Sequence, residues 1–430
     1  MKKHNGDISF LGRILLRFKN LKNKIKELRL VQKVVDRQRV LAGLDCDDCS
    51  SEAKFSYGFG IAKVISLTAL CVLLLVALIF GGSIISYENV YYMFKDIGYI
   101  SSFNESRPES LSYSAPFTNQ DFTSFKNGLA VVGDSEIKLF TSTGRVTLSA
   151  GSSYTNPKIC ASNSTVLVYD QGRNSFSVYN SFISVYSETL DYPISSAHMA
   201  SDGSFCIVTK STEHSSVVRV YDNRFNLEME YSKNDQIISA KMSPDGKRIA
   251  VVSLGTSGGE SETVLNVIER GKTSPRSTVK LIGVMPYFAE FTAGDRIALI
   301  CSDNAHVYDL DGKRKNMFEY PYSLKDVSVS DGGFALLLNE DSVSSDNMLA
   351  VFDANGKLKY TENLTGYVKE IGSNGDDVFI LFRDRVCRID SVLGSTSEVE
   401  FYEEDSRLLV FPSGDIMVCT PTVAYYIFIN

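Results

Sequence analysis

Short apolar runs separated by polar turns recur from about residue 108 to the end of the sequence, and this pattern predicts β-strands. Each unit has an apolar strand, a turn rich in Ser, Asp and Gly, a second apolar strand, a loop and a hairpin. The first turn and second strand are clearest in MASDGSFCIV (199–208), MSPDGKRIAVVS (242–253) and FPSGDIMVCT (411–420). The runs are rich in residues that favour strands, and Gly and Asp supply the backbone conformations of tight hairpins.

The spacing of these units predicts the architecture. Their first strands begin near residues 118, 157, 194, 236, 285, 323, 367 and 405. Intervals of about 40 residues suit one four-stranded blade of a β-propeller. The last unit supplies three strands, at 407–411, 415–419 and 425–429, and a strand at about 109–114 would complete it and close the ring. We therefore predict an all-β domain at 108–430, a β-propeller of about eight four-stranded blades, with seven blades as the alternative.

One apolar run differs from all the others in length. Residues 64–85 read VISLTALCVLLLVALIFGGSII and contain no charged residue. A helix of this length spans about 30 Å of hydrocarbon. Aromatic residues flank the run at the positions expected for a membrane interface, namely Tyr57, Phe59, Tyr87, Tyr91, Tyr92 and Phe94. We therefore predict a transmembrane helix at 64–85 and a juxtamembrane linker at 86–107.

The distribution of charge predicts the orientation of this helix. The chain has a formal net charge of −7. Residues 1–63 carry 14 basic and 7 acidic side chains, so the remaining residues carry a net charge of about −14. Only Lys95 and Arg107 are basic in the thirty residues that follow the run. Because basic flanks stay in the cytoplasm, we predict a cytoplasmic N-terminus and an extracellular propeller in the cell membrane.

The basic segment at 1–63 contains an apolar stripe with alternating spacings of three and four residues, which predicts an amphipathic helix. The stripe consists of Leu11, Ile14, Phe18, Leu21, Ile25 and Leu28. Two interpretations remain open. The helix lies on the anionic inner leaflet, or it forms a coiled coil with a partner or a second copy. Nucleic acid is not an expected partner.

Cys46 and Cys49 form a single C-x-x-C pair in LDCDDCSSE. Such a pair supplies only two of the four ligands that a structural zinc ion needs. The favoured interpretation is an incidental exposed pair, with metal binding and redox chemistry left open.

The repeats carry a resemblance to known families. SPDGKRIAVVS at 243–253 resembles the S-P-D-G-K turn of bacterial TolB-type and WD40-like propeller repeats. The whole layout resembles uncharacterised membrane proteins, typical of clostridia and their relatives, that join one transmembrane helix to a quinoprotein-like propeller. The resemblance implies the fold over roughly 100–430 and says little about function, because propellers host many unrelated activities.

Catalytic chemistry is not indicated by the sequence. The chain has no Trp, whereas quinone-cofactor propellers, WD40 blades and sialidase-type propellers usually carry one in their repeats. It has four His residues and neither a G-x-S-x-G nor an H-E-x-x-H motif. We therefore predict no enzyme, no cofactor and no metal site. The five cysteines of the predicted strands are interpreted as small buried apolar residues: Cys160, Cys206, Cys301, Cys387 and Cys419.

Three polar loops between second and third strands are longer than the rest, at 209–216, 254–262 and 339–347. Such loops share one face of a propeller with the connections between blades, and long loops often mark a binding face. They contain Glu213, His214, Glu260, Glu262, Glu340, Asp341 and Asp346. We hypothesise an acidic rim that receives a basic protein segment, a cation or a cell-envelope ligand; solvated linkers are the alternative interpretation.

These observations together predict a membrane-anchored, extracytoplasmic, non-enzymatic binding or scaffolding module at the bacterial cell envelope. Its partners would be the membrane and a protein or cell-envelope ligand. An alternative is a ligand-sensing or transport-accessory protein that signals through its cytoplasmic helix. A propeller enzyme is the weaker alternative.

The membrane prediction can be tested on the full-length chain. We expect the chain to stay in the membrane fraction after an alkaline wash, because the uncharged run at 64–85 favours hydrocarbon. Protease added to intact cells should degrade residues 108–430 and spare an epitope placed in residues 1–63. Release of the chain by the alkaline wash, or protection of the propeller, would contradict the prediction.

Overall fold

The computed structural model describes residues 37, 40, 59–68, 70, 71, 108–113, 119–340, 346–375, 377–390 and 394–429. The chain divides into two compact units, Met1–Ser101 and Ser102–Asn430. The described residues of the first unit are all helical. None of the helices formed by described residues is long and apolar enough to cross a membrane. Most of the predicted span at 64–85, the amphipathic stripe and the Cys46–Cys49 pair lie outside the described residues.

The described part of the second unit forms eight four-stranded antiparallel sheets. Blade 1 has β2 (Asp121–Phe125), β3 (Gly128–Val132), β4 (Glu136–Phe140) and β5 (Val146–Gly151). Blade 2 has β6 (Pro157–Ala161), β7 (Val166–Asp170), β8 (Ser175–Tyr179) and β9 (Ser184–Thr189). Blade 3 has β10 (Ser196–Met199), β11 (Phe205–Thr209), β12 (Ser216–Tyr221) and β13 (Leu227–Lys233). Blade 4 has β14 (Gln236–Met242), β15 (Arg248–Ser257), β16 (Glu260–Glu269) and β17 (Pro275–Ile282).

The second half of the ring repeats this order. Blade 5 has β18 (Pro286–Thr292), β19 (Arg296–Cys301), β20 (Asn304–Asp309) and β21 (Arg314–Glu319). Blade 6 has β22 (Ser323–Ser330), β23 (Gly333–Asn339), β24 (Asp346–Asp353) and β25 (Leu358–Thr365). Blade 7 has β26 (Val368–Asn374), β27 (Asp377–Phe382), β28 (Arg385–Asp390) and β29 (Ser395–Glu400). Blade 8 has β30 (Arg407–Val410), β31 (Ile416–Cys419), β32 (Val423–Ile427) and the N-terminal strand β1 (Ser110–Ser112).

The predicted eight-bladed propeller is therefore confirmed. Each first strand begins within three residues of the start predicted from the repeats. First strands of successive blades contact one another around the whole ring, including β30 and β2, so the ring is closed. The last strand of the chain was predicted two residues too late, at 425–429. The Thr420 hydroxyl accepts the Val423 N–H (3.1 Å) and makes a tight turn, so β32 begins at Val423.

Strand β1 closes the ring in the predicted way. Leu111 pairs with Ala424 in β32, the Tyr426 N–H donates to the Glu109 carbonyl (3.0 Å), and the Tyr113 N–H donates to Thr422 (2.9 Å). The Leu111 side chain is 4% exposed and lies against the Gly144 turn of blade 1. The three-residue strand β1 thus completes blade 8 and also contacts blade 1.

The apolar core lies between the sheets. Five of the eight second strands are buried along their full length, among them Gly128–Val132, Phe205–Thr209 and Gly333–Asn339. Such continuous burial explains why these strands are apolar without alternation. Between blades 2 and 3, Phe205 stacks on Tyr221 and meets Phe176 edge-on, with ring centroids 4.7 and 5.8 Å apart.

Aspartates fix the hairpins between third and fourth strands. Asp222 accepts the N–H groups of residues 224 and 226, and Asp309 and Asp353 make the same pair of bonds two and four residues further on. Gly312 and Gly356 follow with positive φ angles of 78° and 76°, which residues with a Cβ atom rarely adopt. Because all of these groups lie within a few residues, the hairpins are encoded locally.

The predicted loop at 254–262 is wrong. In its place β15 and β16 continue as a long hairpin that turns at Gly258 and Gly259, with φ angles of 63° and 91°. Two consecutive positive φ values are typical of the type I′ turn, which matches the twist of paired strands. The strands therefore continue to the end of this segment.

Ring closure by β1 gives a stability prediction. Replacing Leu111 by Ala should lower the free energy of unfolding of the full-length chain by about 2–4 kcal/mol, because a buried leucine leaves a cavity between blades 8 and 1. Leu227, which is 47% exposed on an outer strand, serves as the control: its replacement by Ala should change this free energy by less than about 0.5 kcal/mol. Urea denaturation measures both, and equal effects would contradict a special role for β1.

Candidate functional site

The fourth-to-first-strand connections and the second-to-third-strand turns share one face of the ring, called here the connection face. Every first strand begins at this face. It is the face on which the sequence predicted an acidic rim.

The structure distributes the predicted rim over three blades. Glu213 and His214 lie in the turn of blade 3, where His214 Nδ1 is 3.0 Å from Asn234 Oδ1. Glu260 and Glu262 lie on the extended hairpin of blade 4, and Glu262 pairs with Lys280 (3.1 Å). Asp341 is outside the described residues.

Two of the described residues of the predicted rim line one cavity. Glu340 and Asp346, at the ends of β23 and β24, line the same cavity of about 340 Å³ in blade 6. Tyr322, from the connection that enters this blade, lines it as well. The described acids of the rim thus belong to three blades, and this pair adjoins an aromatic ring that was not predicted.

Tyrosines give the connection face a feature that the sequence analysis missed. Every tyrosine that is exposed among the described residues lies at or just before the first strand of blade 5, 6, 7 or 8. These are Tyr287 (50% exposed), Tyr322 (39%), Tyr367 (62%) and Tyr402 (69%), called here the tyrosine arc. A tyrosine close to the start of a unit also occurs in blades 2 and 3, where Tyr154 and Tyr192 are only partly exposed, so the sequence alone does not single out the arc.

Two cavities adjoin the arc, one lined from blades 1, 2, 7 and 8 and the other from blades 7 and 8. One of about 560 Å³ is lined by Lys158, Tyr367, Lys369 and Arg407, among others. The other, of about 680 Å³, is lined by residues that include Arg383, Asp384, Tyr402 and Thr420. Both are lined by Glu404, Asp405 and Pro421.

The connection at 401–406 contributes residues to both cavities, and hydrogen bonds from Lys369 hold its backbone in place. Lys369 Nζ donates to the carbonyls of Glu403 and Glu404 and to Ser406 Oγ (2.9 Å). Burial, reinforced by the nearby Arg383, lowers the pKa of this ammonium group. Phe401 packs edge-on against Tyr425, with ring centroids 5.5 Å apart. The carbonyl groups of Glu403 and Glu404 thus point toward Lys369, while the side chains of Tyr402 and of the acidic residues are exposed.

Along the central channel, side chains join neighbouring first strands. Each first strand is an edge of its sheet, so half of its N–H groups have no partner within the sheet. Asp121 accepts the Ile159 N–H (3.1 Å) of the next blade. Asp326 and Glu370 likewise accept the N–H groups of residues 371 and 408, at 2.8 and 2.7 Å. Burial raises the pKa of Asp121 and Asp326, although these bonds oppose it.

A second polar cluster joins blades 3, 4 and 5. Lys241 Nζ lies 3.0 Å from Glu290, and His198 Nε2 lies 3.9 Å from the same carboxylate. The Met242 N–H donates to His198 Nδ1 (3.1 Å), so this nitrogen carries no proton. Burial opposes charge on both members of the ion pair, but their mutual attraction lowers the pKa of Glu290 and raises that of Lys241. Burial and then the charge of Lys241 lower the pKa of His198 to about 4.

The five cysteines of the strands have free thiols. Four are buried and Cys160 is partly so. Burial raises the pKa of Cys206, Cys301 and Cys419 to about 12, which makes these thiols unreactive. Among the described residues, no group of three or more His, Cys, Asp or Glu side chains could hold a metal ion.

A known protein family matches most of the propeller. The model of a family of unknown function, DUF5711, matches residues 107–421. The chain belongs to this family. No curated protein matches it. The match begins just before β1 and ends just before β32, so the family spans nearly the whole propeller.

Solved structures resemble the family's fold in this chain. Sqt1 from Saccharomyces cerevisiae is 11% identical with a TM-score of 0.56, and the alignment covers 75% of this chain and 100% of that one. BamB from Moraxella catarrhalis is 9% identical with a TM-score of 0.52, covering 75% and 99%. At these identities the likeness concerns the fold alone, a β-propeller.

His198 gives a pH prediction. Its pKa falls from 6.5 in the unfolded chain to about 4 in the fold, so below pH 6.5 protons bind the unfolded chain preferentially. Stability should therefore fall as the pH drops from 6.5 to 4. His198→Asn keeps an acceptor for Met242 and removes this titration. The stability advantage of the wild type over this variant should shrink by about 2 kcal/mol across that window.

Urea denaturation at several pH values measures this difference. Burial also lowers the pKa of His306 to about 4. Because His306 is present in both proteins, its titration cancels in the difference between them. An unchanged difference between wild type and His198→Asn from pH 7 to 4 would show that His198 does not titrate as described.

Proposed function

We propose that the chain is a membrane-anchored, non-enzymatic binding module whose connection face receives a protein partner at the bacterial cell envelope. The tyrosine arc is the observation that carries this proposal. Exposed tyrosines on four consecutive blades are unusual for a surface that contacts only water, and tyrosine is enriched in protein interfaces. Rigid aromatic rings provide a large contact area at low cost in conformational entropy.

The engagement of the channel side chains supports a non-enzymatic role. Asp121, Asp326 and Glu370 accept backbone N–H groups of the neighbouring blade. Lys241 and Glu290 pair with one another. These groups join blades, and a general acid or base would need a free position within reach of a substrate.

The anchoring part of the proposal rests on the sequence. The uncharged run at 64–85 and the excess of basic residues before it support one membrane span with the propeller outside the cytoplasm. An acidic, extracytoplasmic propeller held near the membrane is well placed to collect or organise partners there.

Site-specific photo-cross-linking in intact cells tests the binding face. A photoreactive phenylalanine analogue would replace Tyr322 or Tyr402 in the full-length chain. We expect a discrete adduct from each position, because the arc contacts the partner directly. The matched controls are Leu227 and Leu358, which are 47% and 41% exposed but lie on outer strands.

Adducts of one partner from the arc and none from the outer strands would support the proposal. Equal yields at all four positions would show that the adducts report exposure alone. Adducts confined to the outer strands would place the binding surface elsewhere and overturn the proposal.

A further inference from the structure

The cavity of about 560 Å³ on the connection face is built by four consecutive blades. Most of its lining comes from the first strands of blades 1, 2, 7 and 8 or from the residues just before them, and Pro421 comes from a turn of blade 8. Its volume lies within the range of about 300–1,000 Å³ that is typical of small-molecule sites. The side chains of this cavity therefore indicate what kind of small molecule it accepts.

We propose that this cavity binds a short saccharide without net charge. This ligand is additional to the protein partner proposed above. Hydroxyl groups of the saccharide bond to the amide, ammonium and guanidinium groups of the lining, and its C–H faces pack against Tyr367 and Pro421.

Three amide side chains supply acceptors for the ligand. Asn119 Nδ2 donates to the Thr155 carbonyl (3.0 Å), and Asn156 Nδ2 donates to Gln171 Oε1 (3.3 Å). These bonds orient the two amides and leave their oxygens to accept from a ligand. Gln120 also lines the cavity, and among the described residues no donor reaches its buried Oε1 atom. A ligand with O–H groups supplies donors to such oxygens.

Two basic side chains of the lining supply donors. Lys158 attracts the Asp121 carboxylate of blade 1, and its ammonium group has three N–H donors, more than one such neighbour uses. Arg407 binds Glu370 through Nε (3.1 Å) and Nη2 (3.0 Å), which engages part of its five-donor guanidinium group. The cavity thus presents donors and acceptors together. A hydroxyl group, which donates one hydrogen bond and accepts others, matches both.

The charges around the cavity largely compensate one another. Three basic and two acidic side chains line it: Lys158, Lys369, Arg407, Glu404 and Asp405. Lys369 is engaged by the connection at 401–406, and Arg407 is engaged by Glu370. Glu404 lies 3.7 Å from Arg383. Because neither sign dominates, the lining favours an occupant without net charge over an anion or a cation.

Tyr367 and Pro421 give the polar cavity an apolar surface. The tyrosine is 62% exposed, and Lys325 Nζ lies 4.9 Å from the centre of its ring. A sugar ring carries C–H groups on its faces and hydroxyl groups around its edge. It can therefore cover an aromatic ring while its edge bonds to polar side chains, a combination that a simple ion does not offer.

Ligand-observed NMR titration of the full-length chain tests the proposal. The chain is held in lipid nanodiscs, because detergents with sugar headgroups would compete for the cavity. The probes are cellobiose, maltose and N,N′-diacetylchitobiose, three disaccharides without charge. We expect at least one of them to bind with a Kd of about 1 mM or tighter. Failure of all three to bind would overturn the saccharide proposal.

Two pairs of variants locate the site. Lys158→Met removes a donor and Asn156→Leu removes an acceptor, and each should weaken the bound disaccharide about tenfold. Lys247→Met and Asn223→Leu make the same changes in turns on the opposite face and should weaken it less than about twofold. Equal losses in the two pairs would overturn the cavity as the site. Unfolding temperatures equal to that of the wild type would show that the losses do not reflect unfolding.

Glycylglycine tests the class of ligand, because this dipeptide is a zwitterion that also has no net charge. We expect it not to bind, and an affinity above that of every disaccharide would overturn the saccharide. Raising the NaCl concentration from about 50 to 500 mM should change the affinity for the disaccharide less than about twofold, since screening acts on charges. A larger change would overturn recognition without net charge. Lys158 and Asn156 lie outside the tyrosine arc, so photo-cross-linking decides the protein partner independently.

Discussion

The inner edge of each blade is the constraint on which this ring depends. A first strand pairs with its own sheet on one side only, and its remaining N–H groups face a neighbour that diverges from it. Buried N–H groups need acceptors. Asp121, Asp326 and Glu370 supply them across the gap between blades, and His198 does so from blade 3 to blade 4. One hydrogen bond thereby satisfies the donor and joins two sheets.

The fold could be predicted to a large extent because its turns are encoded locally. The side chains of Asp222, Asp309 and Asp353 each accept backbone N–H groups of their own hairpin. Each repeat can therefore be recognised in the sequence without knowledge of its neighbours. The long hairpin of blade 4 could not be recognised in this way. Its outer end is exposed, so polar residues from Thr256 to Ser261 show no apolar alternation. Only the Gly258–Gly259 pair signalled a turn, and a polar stretch around it is equally typical of a loop.

The candidate site was harder to predict than the fold. The acids of blades 3, 4 and 6 were predicted as a site because their loops are long. The length of a loop does not reveal which residues lie side by side in the closed ring. Glu340 and Asp346 share a cavity, whereas Glu213 and Glu262 belong to other blades. The tyrosine arc becomes visible only when four connections are placed on one face. Lys369 is a further case, since a lysine in a strand gives no sign that it holds the backbone of a connection 34 residues later.

The position of β1 has a mechanical consequence. Any tension on the residues before 108 enters the propeller through this strand. Because β1 and β32 are antiparallel neighbours, a pull along β1 loads their three paired positions in shear, and all of their hydrogen bonds must break together. The strand that closes the ring therefore also transmits force between the propeller and the preceding part of the chain.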